Sequence, residues 1–271
     1  MESSNLTYKE KVEKNKIKSI DKFNNLKSDY FLQKVFNNLE KKKSLIIVKY
    51  NENIRKRLNL NINNYKKYSE KYSSIEIEIK LVPKKYGKFI NIKQENQIYY
   101  RIYFNNKEEI KRYYINKNEE IKIVKIIIDY HVKSFENLFY NCNFIESIYF
   151  KKFFRNNIDN MVSMFFGCSS LRELNFSNFN TNNVNNMDSM FRDCKSLIKL
   201  NLYNFNTKNV KYMSKMFFGC SSLKELNLTK FNTNNITNMA GIFLKCSSLK
   251  ELNLTNFNTN NVTIMNKMFS E

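Results

Sequence analysis

Five cysteines, Cys142, Cys168, Cys194, Cys220 and Cys246, are all the thiols of the 271-residue chain, and they stand 26 residues apart throughout. Thiols can hold metal, form disulfides or act as nucleophiles, and each role demands its own geometry. A zinc site converges four ligands within about 2.3 Å of one ion and is usually encoded as closely spaced pairs. A 26-residue interval supplies one thiol per repeat instead. If repeats stack about 5 Å apart, neighbouring cysteines fall within the Cα range of a disulfide, yet equivalent side chains then run parallel and their number is odd. Free cysteine is among the most buried residue types. The five are therefore expected to be reduced thiols forming a structural ladder, with no metal. The single histidine, His131, shares its column with Asn157, Asn183, Asn209, Asn235 and Asn261 and reads as a turn residue rather than a general base. Gly87, Gly167, Gly219 and Gly241 are too scattered to cradle a phosphate, and no acidic pair is placed to share a pocket. The sequence thus points to a chain that is not an enzyme and takes no cofactor.

A fixed period of this length marks stacked repeats. After each cysteine come three apolar columns: Ile145, Leu171, Leu197, Leu223, Leu249; Ile148, Leu174, Leu200, Leu226, Leu252; and Phe150, Phe176, Leu202, Leu228, Leu254. This is the L-x-x-L-x-L strand of a leucine-rich repeat. A phenylalanine column (Phe153, Phe179, Phe205, Phe231, Phe257) and a β-branched one (Ile158, Val184, Val210, Ile236, Val262) follow, and both are expected to point inward. Met161, Met187, Met213, Met239 and Met265 then precede by three residues Met164, Met190, Met216, Ile242 and Met268, with a phenylalanine next in every copy. That spacing predicts one short helical or 3₁₀ turn per coil. Asn180 and Thr181, with their equivalents, fall in a turn where such side chains bond nearby backbone.

These residues resemble the bacterial surface protein 26-residue repeat, the BspA-like branch of leucine-rich repeats, with its pattern M-F-x-x-C-x-S-L-x-x-L-x-L-x-x-F-x-T-x-x-V-x-x-M. The resemblance covers residues 142–271. The first copy departs from it, with Asn143 and Phe144 for the serines and Arg155 for the threonine. The resemblance implies a non-catalytic adhesion or binding protein, often displayed on cells.

Lysine and arginine number 46 against 25 acidic residues, and residues 1–141 hold 31 of the former and 17 of the latter. The basic excess is thus mostly N-terminal, and nucleic acid, an anionic membrane surface or an acidic partner could meet it. Coding bias explains it more simply, because Lys, Asn, Ile, Tyr and Phe are all abundant while Pro, Gly, Trp and His are scarce. No apolar run of 18 residues and no leader with a cleavage site is present. By sequence the expected location is cytoplasmic, against the surface display that the resemblance implies.

Within residues 1–73, Phe31, Leu32, Val35, Phe36 and Leu39 lie at helical spacing behind a candidate cap at Ser28 or Asp29. A second helix would carry Leu45, Ile46, Val48 and Tyr50, and a third Ile54 and Leu58, giving a small helical bundle. Leu26, Val35, Phe36 and Leu39 are similar to an F-box, with Lys27 and Ser28 where its proline would stand. That similarity implies an alternative role as a substrate adaptor in ubiquitin transfer. Residues 74–118 turn to period two, with Ile75, Ile77 and Ile79 alternating with charge, and predict a β-meander. Ile121, Val124, Ile126, Phe135, Leu138 and Phe139 then echo the repeat and predict a degenerate capping coil over 119–141.

The expected fold is an α/β leucine-rich-repeat solenoid over 142–271, preceded by the bundle and the meander. Its expected function is non-catalytic protein binding or adhesion, with an unknown protein ligand on a concave sheet face. The expected contact residues are the outward strand positions Tyr149, Lys151, Glu173, Lys199, Tyr203, Glu225 and Glu251. A further alternative is binding of nucleic acid or anionic lipid through the basic N-terminal half. The last repeat has no polar coil to cover Leu249, Leu252, Leu254, Val262 and Phe269. Self-association or a longer array is expected to close that end.

Overall fold

The computed structural model describes residues 22–39, 44, 47, 51–60, 62–177 and 179–269. The chain divides into two compact units, Met1–Ser73 and Ser74–Glu271.

In the first unit, helices span Asp29–Asn38, Glu52–Arg57 and Ile62–Tyr72. Ser28 caps the first by accepting a hydrogen bond from the Phe31 amide, and Asn51 caps the second through Ile54. Both satisfy amides that a helix start leaves without partners. Leu32, Phe36, Ile47, Ile54 and Leu58 form the core of this unit. Phe31, expected on the apolar stripe, lies outside it at 56% exposure. The expected apolar positions Leu45, Ile46, Val48 and Tyr50 lie outside the described residues.

The second unit is built on a six-stranded sheet with the order β4-β3-β6-β1-β7-β8. Its strands are β1 (Ile75–Leu81), β3 (Tyr100–Phe104), β4 (Glu109–Ile110), β6 (Ile123–Ile128), β7 (Ile145–Lys152) and β8 (Glu173–Asn175). Two small ladders stand beside it: β2 (Gly87–Lys88) with β5 (Tyr114–Ile115), and β9 (Lys199–Asn201) with β10 (Glu225–Asn227). The period-two reading of β1 holds, with Ile75, Ile77 and Ile79 fully buried. Where β1 sits is not legible from period alone. It lies between β6 and β7 and pairs antiparallel with both, Ile79 opposite Val124 on one side and Ile148 on the other.

The α/β leucine-rich-repeat solenoid expected over 142–271 is not what the chain forms. Among the described residues of Ser74–Glu271 there is no α-helix, and the regular sheet is mixed, with β7 and β8 its only parallel neighbours. The repeat strands β8, β9 and β10 are three residues long, and no strand forms over 251–254. The methionine segment fails to become helical for a local reason. The residue before the second apolar position is left-handed in each copy: Ser163, Ser189, Lys215, Gly241 and Lys267 have φ between 52° and 57°. A second left-handed column runs through Asn141, Gly167, Asp193, Gly219 and Lys245. Left-handed residues four apart, such as Ser163 and Gly167, make consecutive tight turns, because a right-handed helix cannot pass through them. Asn, Gly and Asp in one column were the sequence signal for that geometry.

These turns leave alternate amides free to bond the next repeat. Met161 donates to Asn186 O, Ser163 to Asp188 O, Phe165 to Met190 O and Gly167 to Arg192 O, all at 2.8–3.0 Å. Parallel bridges continue this register from Ser134 through Asn160, Asn186, Tyr212 and Asn238 to Ile264. The interior is apolar. The Met, Cys and Phe columns are buried from Phe139 and Cys142 to Phe243, and stacked rings recur along Phe165, Phe191, Phe217 and Phe243 with centroids 5.5–5.8 Å apart.

Candidate binding face

Alternation along a strand sends every second side chain to one face, and the register sets those side chains in rows. One row runs Tyr103, Lys125, Glu78, Tyr149, Asn175 across β3, β6, β1, β7 and β8. The neighbouring row holds Lys80, Ser147 and Glu173. The face therefore extends across the meander strands, and Glu78, Lys125 and Tyr103 join it. Sequence reading missed these three because nothing in β1 announces insertion between two other strands.

Of the seven expected contact residues, the structure brings Tyr149, Lys151 and Glu173 together. The Tyr149 hydroxyl donates to Glu173 Oε2, which raises the phenol pKa above its usual range. Lys151 Nζ lies 3.4 Å from Glu78 and 5.1 Å from the centre of the Tyr149 ring. Lys199 and Glu225 pair with each other across β9 and β10. Tyr203 follows β9 in a turn held by its amide donating to Asn201 Oδ1 at 3.0 Å, and its ring is 58% exposed beneath Lys230 Nζ at 5.5 Å. Glu251 is exposed and lies on no strand. Ser147, an outward position, is 3% exposed, and its hydroxyl has no hydrogen-bond partner among the described residues.

Charges on this face are largely compensated in place, and surface pairs of this kind add little stability. A neighbouring groove differs. About 410 Å³ in volume, it is lined by Arg172, Ser196, Ile198, Ser222, Lys224 and Ser248. Neither Arg172 nor Lys224 has an ion-pair partner among the described residues. A smaller hollow of about 260 Å³ continues it past Ser170 to Pro83 and Glu146. The groove repeats at the repeat period, which was the one signal that could have revealed it.

The thiols lie away from both surfaces. Cys168, Cys194 and Cys220 are fully buried, and each S–H donates to a phenylalanine carbonyl, Phe139, Phe165 and Phe191 respectively, at 3.0–3.1 Å. Burial pushes their pKa values well above the ordinary thiol range, Cys142 to about 12 and the half-buried Cys246 to about 11. The thiolate is the reactive form, so a disulfide reagent at pH 8 is expected to react with the folded chain at least a hundredfold more slowly than with the chain in urea. Cys246 should react first. Rapid reaction at Cys194 in the folded chain would contradict this burial. Among the described residues no group of three or more His, Cys, Asp or Glu could hold a metal ion. His131 stacks on Tyr99 at 4.6 Å and contacts Asp129 through Nδ1 at 2.7 Å. Its column mates instead donate backward to carbonyls, Asn183 to Asn156 O and Asn209 to Asn182 O, both at 2.7 Å.

A family model described as "Mycoplasma protein of unknown function, DUF285" matches residues 133–226 and 198–271, together just over half of the chain. The chain belongs to this family. The match begins beside Ser134, where the described bridges also begin, so the DUF285 segment coincides with the register of tight turns. No curated protein and no solved structure matches the chain. Among its described residues, no helix of this DUF285 protein is long and apolar enough to cross a membrane.

Proposed function

We propose that this DUF285 chain is a non-catalytic protein-binding module of the BspA-like, adhesion-associated kind, and that its contact surface is the outward face running from Tyr103 through Tyr149 to Tyr203. The observation that carries the reading is Tyr203, an aromatic side chain more than half exposed on a turn whose amide is anchored by Asn201. Tyrosine held rigidly at a surface loses little entropy on binding and combines apolar area with a hydroxyl, which is why it is enriched among residues that dominate interfaces. The compensated charges around Tyr149 would set register, and the unpaired Arg172 and Lys224 beside them favour a partner with acidic groups at that rim.

Immobilised chain is expected to retain a discrete protein from extracts of its source cells or their hosts. The double variant Tyr149→Ala, Tyr203→Ala is expected to retain at least tenfold less, with an unchanged far-ultraviolet spectrum. Equal retention by the double variant would place the contact elsewhere.

A further inference from the structure

The buried threonine hydroxyls of the repeats are engaged. Thr181, Thr207 and Thr233 are each 1% exposed, and each clamps one asparagine of the next repeat, donating to its carbonyl and accepting from its amide at 2.7–3.0 Å. The serine column Ser170, Ser196, Ser222 is not. These side chains are half-buried in the wall of the groove and the hollow that continues it, and no hydrogen bond ties their hydroxyls to the described residues.

The same wall carries Arg172, Ile198 and Lys224, one from each of three successive repeats. All three are exposed, Ile198 at 52%. The acidic groups nearest in the repeat pattern are held elsewhere: Glu146 by Lys80 at 3.1 Å, Glu173 by the Tyr149 hydroxyl and Glu225 by Lys199. Both cations therefore face the groove without a counter-charge among the described residues. Each repeat contributes one hydroxyl, while cation and apolar surface alternate along the wall. Registers of a ladder lie about 5 Å apart, which sets Arg172 and Lys224 about 10 Å apart with Ile198 between them.

We infer that this groove binds an anionic polysaccharide with one acidic group per disaccharide. A pyranose in an extended chain advances by nearly one register, so successive sugars meet successive serines. Serine hydroxyls both donate and accept, as sugar hydroxyls do. Acidic groups on alternate sugars meet Arg172 and Lys224, and the planar guanidinium can grip a carboxylate through two N–H groups. The sugar between them lays its C–H face on Ile198. An acidic peptide fits the groove less well. Extended peptides draw affinity from main-chain ladder bonds, and the Arg172 and Lys224 amides already donate to Glu146 O and Ile198 O at 2.9 and 2.8 Å. The groove includes neither Tyr149 nor Tyr203, so this site stands or falls separately from the tyrosine contacts.

The test titrates a hyaluronate octasaccharide, with one carboxylate per disaccharide, into the full chain in a calorimeter at physiological salt. A net charge of +21 attracts any polyanion, so the variants must separate the groove from bulk charge. Saturable binding is expected, weakened at least fivefold by Arg172→Gln and by Lys224→Gln, both at exposed positions. The uncharged double change Ser196→Val, Ser222→Val is expected to weaken it as much, with an unchanged urea midpoint. Lys107→Gln, which removes an exposed charge outside the groove, and the double variant Tyr149→Ala, Tyr203→Ala should each change it less than twofold. No binding at millimolar octasaccharide, or a loss in Lys107→Gln equal to that in Arg172→Gln, would overturn the inference. So would equally tight binding of a poly-glutamate of matched charge through the same residues, because the ligand would then be a peptide.

Discussion

Replacing Phe150 by alanine is expected to destabilise the second unit by about 3–5 kcal/mol, the upper range for truncating a large core side chain. Phe150 is 1% exposed on β7, opposite Ile77 of the inserted strand. Its ring lies 4.7 Å from Phe179 in an edge-on arrangement, 5.7 Å from Phe176, 6.0 Å from Phe153 and 6.5 Å from Phe165. The alanine variant therefore loses burial, leaves a cavity between the sheet and the turn stack, and forfeits aromatic pairs worth about 0.5–1.5 kcal/mol each beyond area. Against a typical total stability of about 5–15 kcal/mol, that is a large share. Phe269→Ala is the matched control, because its ring is 60% exposed, and it should cost less than about 1 kcal/mol. Urea unfolding read at the midpoint compares them. Equal shifts for the two variants would show that Phe150 does not join β7 to the turns.

The second large effect is at Arg155, and it depends on what replaces the side chain. Arg155 takes the place that threonine holds in later repeats. It is fully buried, with Nη1 donating to Asp129 O at 2.7 Å, while Nε and Nη2 have no partner among the described residues. Burial depresses its pKa from 12.5 to about 10, partly offset by Asp129 and Tyr100. Holding that charge inside costs about 3 kcal/mol at neutral pH. Arg155→Ala relieves the charge but opens a cavity and strands carbonyls, so a net loss of about 2–4 kcal/mol is expected. Arg155→Met fills the same space without charge and is expected to be at least as stable as the native chain. A Met variant as unstable as the Ala variant would mean that the bonds from Arg155 Nη1 to the carbonyls of Asp129 and Val132 outweigh the buried charge.

Arg155 also shows where sequence reading stops. In the repeat alignment it is a departure from threonine, and only the fold shows that it reaches back to the carbonyls of Asp129 and Val132. Asn91 is similar: one asparagine in a meander, with no local signal that its backbone and side-chain amides bond the carbonyls of Leu138 and Tyr140, at 2.7 and 2.8 Å. The candidate face was half legible. Tyr149, Lys151 and Glu173 follow from alternation, whereas Glu78, Lys125 and Tyr103 reach it through strand order.

The 26-residue period and its columns were readable from the chain alone, because each column repeats one demand, burial or hydrogen bonding, at every turn of the stack. The thiol columns, the phenylalanine stack and the asparagine and threonine ladders follow from that repetition. Three matters waited on tertiary structure. The methionine segments are left-handed turns and not helices, since a spacing of three fits both and backbone φ separates them. The strand β1 enters between β6 and β7, from Lys80 opposite Ile123 to Glu76 opposite Lys152, a long-range pairing that no local pattern encodes. Asn91 bonds the carbonyls of Leu138 and Tyr140, because which donor meets which carbonyl is decided only when distant segments come together.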